Sequence, residues 1–248
     1  MKVYAVWNLK GGTGKTTSTV NLSYDCSTRG RVLLIDNDPQ CNATPFFRKA
    51  NEQGNTIRNL YENPEQIKKC IYRTKYKNID IIKGSNYLTE KCAEKEDYLL
   101  QRALKVIKEE YDIVLIDCRP SFEALTRNAL FAADVLITPI LLDGFCRDNL
   151  NLVERAHEEI NTLLENKSLR WIVFANRVEN HRNQKLIYKD LVEKHLFPIT
   201  STCISNRVAV ASAAAIRKPL LKHRKKDTAT QDYLELLNEL EVMENGKV

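Results

Sequence analysis

Lys10-Gly11-Gly12-Thr13-Gly14-Lys15-Thr16-Thr17 follows a short apolar run, Val3 to Trp7, and precedes a segment of helical character. The octapeptide stands where a strand turns into a helix, the setting that a phosphate-binding loop requires. Gly11, Gly12 and Gly14 permit backbone conformations closed to other residues, so successive N–H groups can converge on a phosphate at the positive end of the helix. Lys15 supplies a full charge to the β and γ phosphates, and the Thr16 hydroxyl is suited to ligate Mg²⁺; Thr13 and Thr17 complete the candidate nucleotide loop. The pattern Gly-x-x-x-x-Gly-Lys-Ser/Thr is not fully met. The head of the loop holds Leu9 and Lys10, and the glycines available before Gly14 are Gly11 and Gly12. A second lysine at that place is the informative departure.

Working outward, Thr16 to Thr28 reads as a helix stopped by Arg29-Gly30. Arg31-Val-Leu-Leu-Ile-Asp36 is an almost uninterrupted apolar run, of the kind found in strands covered on both faces. Similar runs occur at Ile79 to Ile82, Ile113 to Asp117, Val135 to Pro139 and Trp171 to Asn176. Between them lie helical candidates at Leu99 to Glu110, Ser121 to Ala132, Arg147 to Glu165 and Gln184 to His195. The alternation predicts an α/β fold, a doubly wound, mostly parallel sheet flanked by helices, with residues 1–248 as one domain. Pro45 to Lys77 is polar with short apolar patches and reads as short peripheral helices.

Apolar residues make up 43% of the 248, enough for a sizeable core. The mean hydropathy is −0.40, and no apolar run approaches the roughly eighteen residues of a membrane span. The first residues read as a strand, not a signal peptide. Seven cysteines are scattered with no Cys-x-x-Cys pair, which fits reduced thiols in a cytoplasm and speaks against metal or redox use. The net charge of +6 acquires meaning only from its placement.

In open α/β sheets ligands bind beyond the carboxyl ends of the strands. Two apolar runs end in carboxylates there: Asp36-Asn37-Asp38-Pro39-Gln40-Cys41-Asn42-Ala43-Thr44 and Asp117-Cys118-Arg119-Pro120-Ser121. A carboxylate in such a place is ordinarily a helix cap or a turn residue. With a phosphate loop at the end of the first strand, Asp36, Asp38 and Asp117 point instead to the same site.

The loop with its early lysine resembles the deviant Walker A box of the ParA/MinD family of P-loop ATPases, and most of the chain follows that likeness. The resemblance implies ATP/ADP and Mg²⁺ as ligands, and a nucleotide-sandwich homodimer in which Lys10 reaches the phosphates bound by the other copy. It implies that Asp38 orients or deprotonates the attacking water, that Asp36 lies near the Mg²⁺ shell, and that Asp117 holds Mg²⁺ through water. Lys10, Lys15 and Asp38 are then the catalytic set, and Thr16, Asp36 and Asp117 the metal set. Two departures stand in the switch segments. Cys41 occupies a place where the family usually has Gly, and Arg119 replaces a proline. Arg119 is either a surface charge without a role or a partner for phosphate or for an acidic residue across the dimer. Pro139 to Phe145 is similar to the family's Pro-x-x-Pro-Glu-x-Phe, with Leu142 and Asp143 departing from it. Asn176 and Arg177 fall where the family contacts adenine. Ile204 to Leu220 aligns without gaps to a further family stretch, with Ser205, Asn206 and Arg207 at its Pro-Arg-Asn places and Arg217 at a glycine.

Arg217, Lys218, Lys222, Arg224, Lys225 and Lys226 crowd six cations into ten residues. Such a run is often only a solvated face, yet it supplies the field that binding to a phosphate backbone needs. Partition members of the family bind non-specific DNA through basic residues near their C-terminal helices. The tail from Gln231 to Val248 is amphipathic with an acidic polar side, so it is expected to pack on the sheet and not to bind a membrane. No N-terminal helix-turn-helix region precedes the loop, which resembles the short, Soj-type partition ATPases. The expectation is a cytoplasmic, nucleoid-associated DNA-segregation ATPase whose slow hydrolysis is stimulated by a centromere-binding, ParB-like adaptor. The alternative is an ATP-switched regulatory module with negligible turnover.

Overall fold

The computed structural model describes residues 1–49, 53–165 and 167–244. Its strands are β1 (Lys2–Val6), β2 (Val32–Asn37), β3 (Ile71–Arg73), β4 (Ile79–Ile82), β5 (Ile113–Cys118), β6 (Val135–Ile140) and β7 (Arg170–Ala175). They form one sheet in the order β3-β4-β2-β5-β1-β6-β7. Every neighbouring pair is parallel except β3 with β4, which is antiparallel. The helices are α1 (Lys15–Cys26), α2 (Thr44–Phe47), α3 (Ile57–Glu62), α4 (Leu99–Val106), α5 (Ala124–Ala132), α6 (Cys146–Leu163), α7 (Arg182–Glu193), α8 (Val208–Ala215), α9 (Leu220–His223) and α10 (Thr228–Glu244).

Continuous apolar runs become strands here because both faces of the sheet are covered. The two-residue period of a strand divides each run between two cores. Val3, Ala5, Trp7, Leu33 and Ile35 pack with α4, α5 and α6 on one face, while Tyr4, Val6, Val32 and Leu34 pack with α1 and α10 on the other. The strand order places β1 between β5 and β6, so the connections from β1 and β6 leave in opposite directions. A crevice opens at the carboxyl ends where they part, and the Lys10 to Thr17 loop sits at its centre.

Two expectations of extent are corrected. The helix expected over Leu99 to Glu110 ends at Val106, because Ile107 and Glu110 donate their N–H groups three residues back in tight turns. The stretch from Pro45 to Lys77 contains, besides short helices, the edge strand β3. Only three residues long and half-exposed to exposed, β3 carries no apolar run that a sequence reading would detect. The acidic C-terminal segment forms α10 and buries Tyr233, Leu236, Leu237 and Leu240. The last four residues of that expected stretch, 245–248, lie outside the described residues.

One buried carboxylate in this scaffold carries a pH signature. Asp25, near the end of α1, is 2% exposed and its Oδ1 has no hydrogen-bond partner. Burial pushes its pKa up to about 8, against the pull of Arg29. The folded chain therefore keeps a proton that the unfolded chain has lost, and Asp25 withdraws stability as the pH rises from about 4 towards 8. Asp25→Asn is expected to raise the urea midpoint at pH 9 by an amount equivalent to a few kcal/mol, at ~1.4 kcal/mol per pH unit, and to leave it nearly unchanged at pH 4. Equal effects at the two pH values would contradict the assignment.

Candidate functional site

Gly14 is the residue before the first turn of α1. Its φ of 94° lies in the left-handed region, and no side chain caps the helix. The first N–H groups of α1 are thus left without a capping side chain, as an anion seat requires. Gly14 also has a steric reason to lack a side chain: a Cβ there would stand 2.2 Å from Asn176 Nδ2. Gly12, at φ 74°, has open space around it, and Gly11 has neither a positive φ nor a close neighbour. Asn8, fully buried, fixes the entry of the loop by donating to the Pro139 carbonyl (2.8 Å) and accepting from the Lys10 N–H (2.9 Å).

The loop lines a cleft of about 460 Å³ through Gly11, Gly12, Gly14, Lys15, Thr16 and Thr17. Asp38, Gln40 and Asn42 face it from the segment after β2, and Pro120 from the segment after β5. Asn176 and Arg177 after β7, Ile204 to Arg207, and the small face of α8 close the remaining wall. Thr13 is fully buried beneath the loop, with its carbonyl accepting from Asn176 Nδ2 at 2.7 Å.

Lys15 Nζ donates to the Lys10 carbonyl at 2.9 Å. Burial lowers its pKa, opposed by the nearby Asp117 charge, so the ammonium sits in a poorly solvated place where an added anion would be welcome. Asp36 and Asp117 are paired in register on β2 and β5, both fully buried. Asp36 Oδ2 accepts from both the N–H (2.7 Å) and the hydroxyl (2.6 Å) of Thr44, which ties the Asp38 segment to α2. Asp117 Oδ1 accepts from Thr19 Oγ1 at 3.1 Å, and Asp117 also interacts with the Thr16 hydroxyl.

Burial raises the Asp36 pKa to about 6, with the Asp38 charge adding to it, and raises that of Asp117 well above the carboxylate range, with the Asp36 charge adding to it. Asp36 Oδ1 and Asp117 Oδ2 have no hydrogen-bond partner. Two orphaned hard oxygens beside a threonine hydroxyl suit Mg²⁺, which takes one or two carboxylates and retains waters. Among the described residues no cluster of three or more His, Cys, Asp or Glu could hold a metal ion by itself.

Asp38 is 7% exposed and lines the cleft, with Oδ1 accepting from the Gln40 N–H at 2.9 Å. Cys41 keeps a left-handed backbone, φ 54°, where the family resemblance expects glycine. Its side chain is directed to the carbonyl oxygens of Pro39 and of the Asn86 amide. Burial and the charges of Asp36 and Asp38 push its thiol up to about 12, so it is no nucleophile. Arg119 makes an ion pair within its own chain, to Glu90 at 2.5 Å, and Glu90 in turn accepts from the Leu125 N–H at the start of α5.

Lys10 does not line the cleft. Its Nζ lies 2.5 Å from Asp143 Oδ2 and 5.9 Å from the Phe145 ring centroid, whereas Lys15 lines the cleft. Asn176 and Arg177 do line it. The Asn176 amide is committed to the loop through Thr13, however, and its Oδ1 accepts from the Arg177 N–H at 2.9 Å.

The residues that sequence reasoning missed are partners brought in by the fold: Asp143 for Lys10, Glu90 for Arg119, and two carboxylates of α10. Asp232 accepts from the Ser205 N–H (2.8 Å), and Glu239 accepts from the N–H groups of Ser201 (2.6 Å) and Thr202 (2.8 Å). The acidic side of α10 thereby holds the segment that forms one wall of the cleft.

Arg217, Lys218, Lys222, Arg224, Lys225 and Lys226 are all exposed around α9. Among the described residues none of the six is paired with a carboxylate. The one acidic residue beside them, Asp227, lies 3.9 Å from Arg207.

A family model described as an AAA domain matches residues 1–170. The chain is 30% identical to the sporulation initiation inhibitor protein Soj of Bacillus subtilis, over 96% of this chain and 98% of that protein. It is 29% identical to the chromosome partitioning protein ParA of Caulobacter vibrioides, over 97% and 94% respectively. The septum site-determining protein MinD of Pyrococcus horikoshii, solved in complex with Mg-ADP, shares the fold. Its TM-score is 0.79 at 19% identity, covering 100% of this chain and 98% of that one.

Proposed function

Because the chain belongs to the ParA/MinD-type family of P-loop ATPases, we propose that it is a DNA-segregation ATPase whose hydrolytic site is complete only in a homodimer. The loop from Gly11 to Thr17 cradles the phosphates of ATP or ADP, with Asn176 and Arg177 at the base end of the cleft. Thr16, Asp36 and Asp117 are the residues that would hold Mg²⁺, which when bound neutralises charge on the β and γ phosphates. Lys15 fixes the phosphate chain by charge, and Asp38 orients the attacking water and accepts its proton. Lys10 acts on the nucleotide of the other copy, as the positive group that stabilises charge developing on the transferred phosphoryl.

The observation that carries this reading is the separation of the two lysines. Lys15 lines its own cleft, whereas Lys10, five residues earlier, does not and is paired with Asp143. A charge so placed has no use for its own nucleotide and is available to a facing one. The turnover reading is favoured over a pure switch because Cys41 retains the left-handed turn and Arg119 is held by Glu90, so both departures leave Asp38 at the cleft.

The exposed cations from Arg217 to Lys226 bind duplex DNA without reading sequence, and a centromere-binding, ParB-like adaptor stimulates hydrolysis and release on the nucleoid. Among the described residues no helix is long and apolar enough to cross a membrane. A dimer-only site predicts that the ATPase rate per chain rises with protein concentration and rises again when duplex DNA gathers the chains. A rate per chain independent of concentration, from a chain that sediments as a monomer with ATP, would contradict it.

A further inference from the structure

The edge strand β3 and its turn into β4 present Arg73, Lys75 and Lys77, all exposed, at one border of the sheet. The fold carries this hairpin next to the basic C-terminal region. A surface cavity of about 510 Å³ is shared by Arg48 and Lys49 after α2, Arg73 and Lys75 of the hairpin, and Arg217 between α8 and α9, and among the described residues no acidic one lines it. Lys218 lies close enough for its charge to lower the pKa of Lys75, after the larger effect of burial. Among the described residues no carboxylate pairs with Lys49, Arg73, Lys75, Arg217 or Lys218. Asp80, opposite Arg73 in the β3–β4 register, faces the other side of the hairpin's cations but is engaged by Arg31 and Tyr111, so the like charges around the cavity still repel one another, and an external polyanion relieves that repulsion.

Two further observations point the same way. Arg217 holds φ 53°, a left-handed conformation that favours glycine and strains an arginine. The strained turn keeps its place through hydrogen bonds from the Arg217 and Lys218 N–H groups back to Ala214 and Ala213, at 3.0 Å each. Tyr72 and Tyr76 lie beneath Arg48 (4.8 Å) and Lys75 (5.2 Å) and limit the side-chain freedom that binding would otherwise have to remove.

We propose that the DNA-binding surface continues from the C-terminal cluster through Arg217 and Lys218 onto the β3–β4 hairpin, where Arg73 and Lys75 contact the phosphate backbone of the duplex. This inference rests on the DNA-binding reading above and extends its footprint to a part of the chain remote in sequence. The contacts are electrostatic, so each phosphate neutralised adds a fixed increment to the salt dependence of binding without favouring any sequence.

The test compares the full-length protein with an Arg73→Ala/Lys75→Ala variant and a Lys222→Ala/Arg224→Ala/Lys225→Ala/Lys226→Ala variant. Binding to two unrelated duplexes is followed by fluorescence anisotropy over a range of salt, with a non-hydrolysable ATP analogue. The hairpin variant is expected to lose about two units of the slope of log K against log salt, and to weaken equally on both duplexes. Its affinity for the ATP analogue, measured separately, should match that of the parent, which guards against a folding defect. If the hairpin variant keeps the parental slope while the C-terminal variant loses binding, the hairpin inference fails and the DNA reading stands. If neither variant differs from the parent, or the parent binds no duplex, the DNA reading itself fails.

Discussion

Lys10→Ala is expected to lower ATP turnover by at least about 10³-fold, the lower end of what a positive group supplied from a second chain contributes to phosphoryl transfer. Nucleotide affinity should change little, because Lys15, the loop N–H groups and the start of α1 all remain. Stability should change little as well. The Lys10–Asp143 pair is partly exposed, at 30% and 40% of the two side chains, and exposed pairs contribute about 0–1 kcal/mol. Loss of rate without loss of binding is the mark of an interaction made chiefly in the transition state. Lys15→Ala should behave oppositely, with affinity failing first. Turnover by Lys10→Ala at the parental rate would remove the main support for the proposed mechanism.

Gly14→Ala carries the second large effect, and it acts through structure. An alanine must adopt φ near 94° and must also place its Cβ 2.2 Å from Asn176 Nδ2. The left-handed backbone costs roughly 1–2 kcal/mol. Displacing Asn176 breaks its buried bond to the Thr13 carbonyl, at a further cost of about 1–3 kcal/mol. The variant should therefore unfold at lower urea by an equivalent of roughly 2–5 kcal/mol and should not bind ATP measurably. Gly11→Ala, with no close neighbour and no positive φ, is expected to fold like the parent. Asn176→Ala breaks the same bond to Thr13 and also removes the clash, so the double variant should lose less than the sum of the two single losses, and the backbone part should remain. Additive losses in that double variant, or full ATP binding by Gly14→Ala, would contradict the argument.

The apolar runs from Val32 to Ile35 and Ile113 to Ile116 disclosed the buried parallel sheet because burial on both faces leaves little room for polar residues. The edge strand β3 escaped notice for the opposite reason. With Ile71 and Tyr72 half-buried and Arg73 exposed, it has no burial pattern to reveal. In the site, the loop, Asp38 and the buried pair Asp36 and Asp117 were legible because their chemistry follows from residue type and place in the chain. The side chains that hold them in position were not. Asp143 stands 133 residues from Lys10, and Asp232 stands 27 residues from Ser205. Such pairings depend on three-dimensional proximity that no local pattern encodes. Arg119 illustrates the limit: its charge invited either no role or a partner at the phosphate or across a dimer, and its partner within the chain, Glu90, could not be read from the sequence.

A mixture of two inactive variants tests the shared site most directly. In a dimer formed from one Lys10→Ala chain and one Asp38→Ala chain, the cleft of the first keeps its own Asp38 and receives Lys10 from the second. The other cleft lacks both groups. Random pairing at equal amounts makes half the dimers mixed, each with one intact site, so turnover should recover to about a quarter of the parental rate per chain. If Lys10 served its own cleft, every site in the mixture would lack one group or the other, and the mixed sample would stay as inactive as its components.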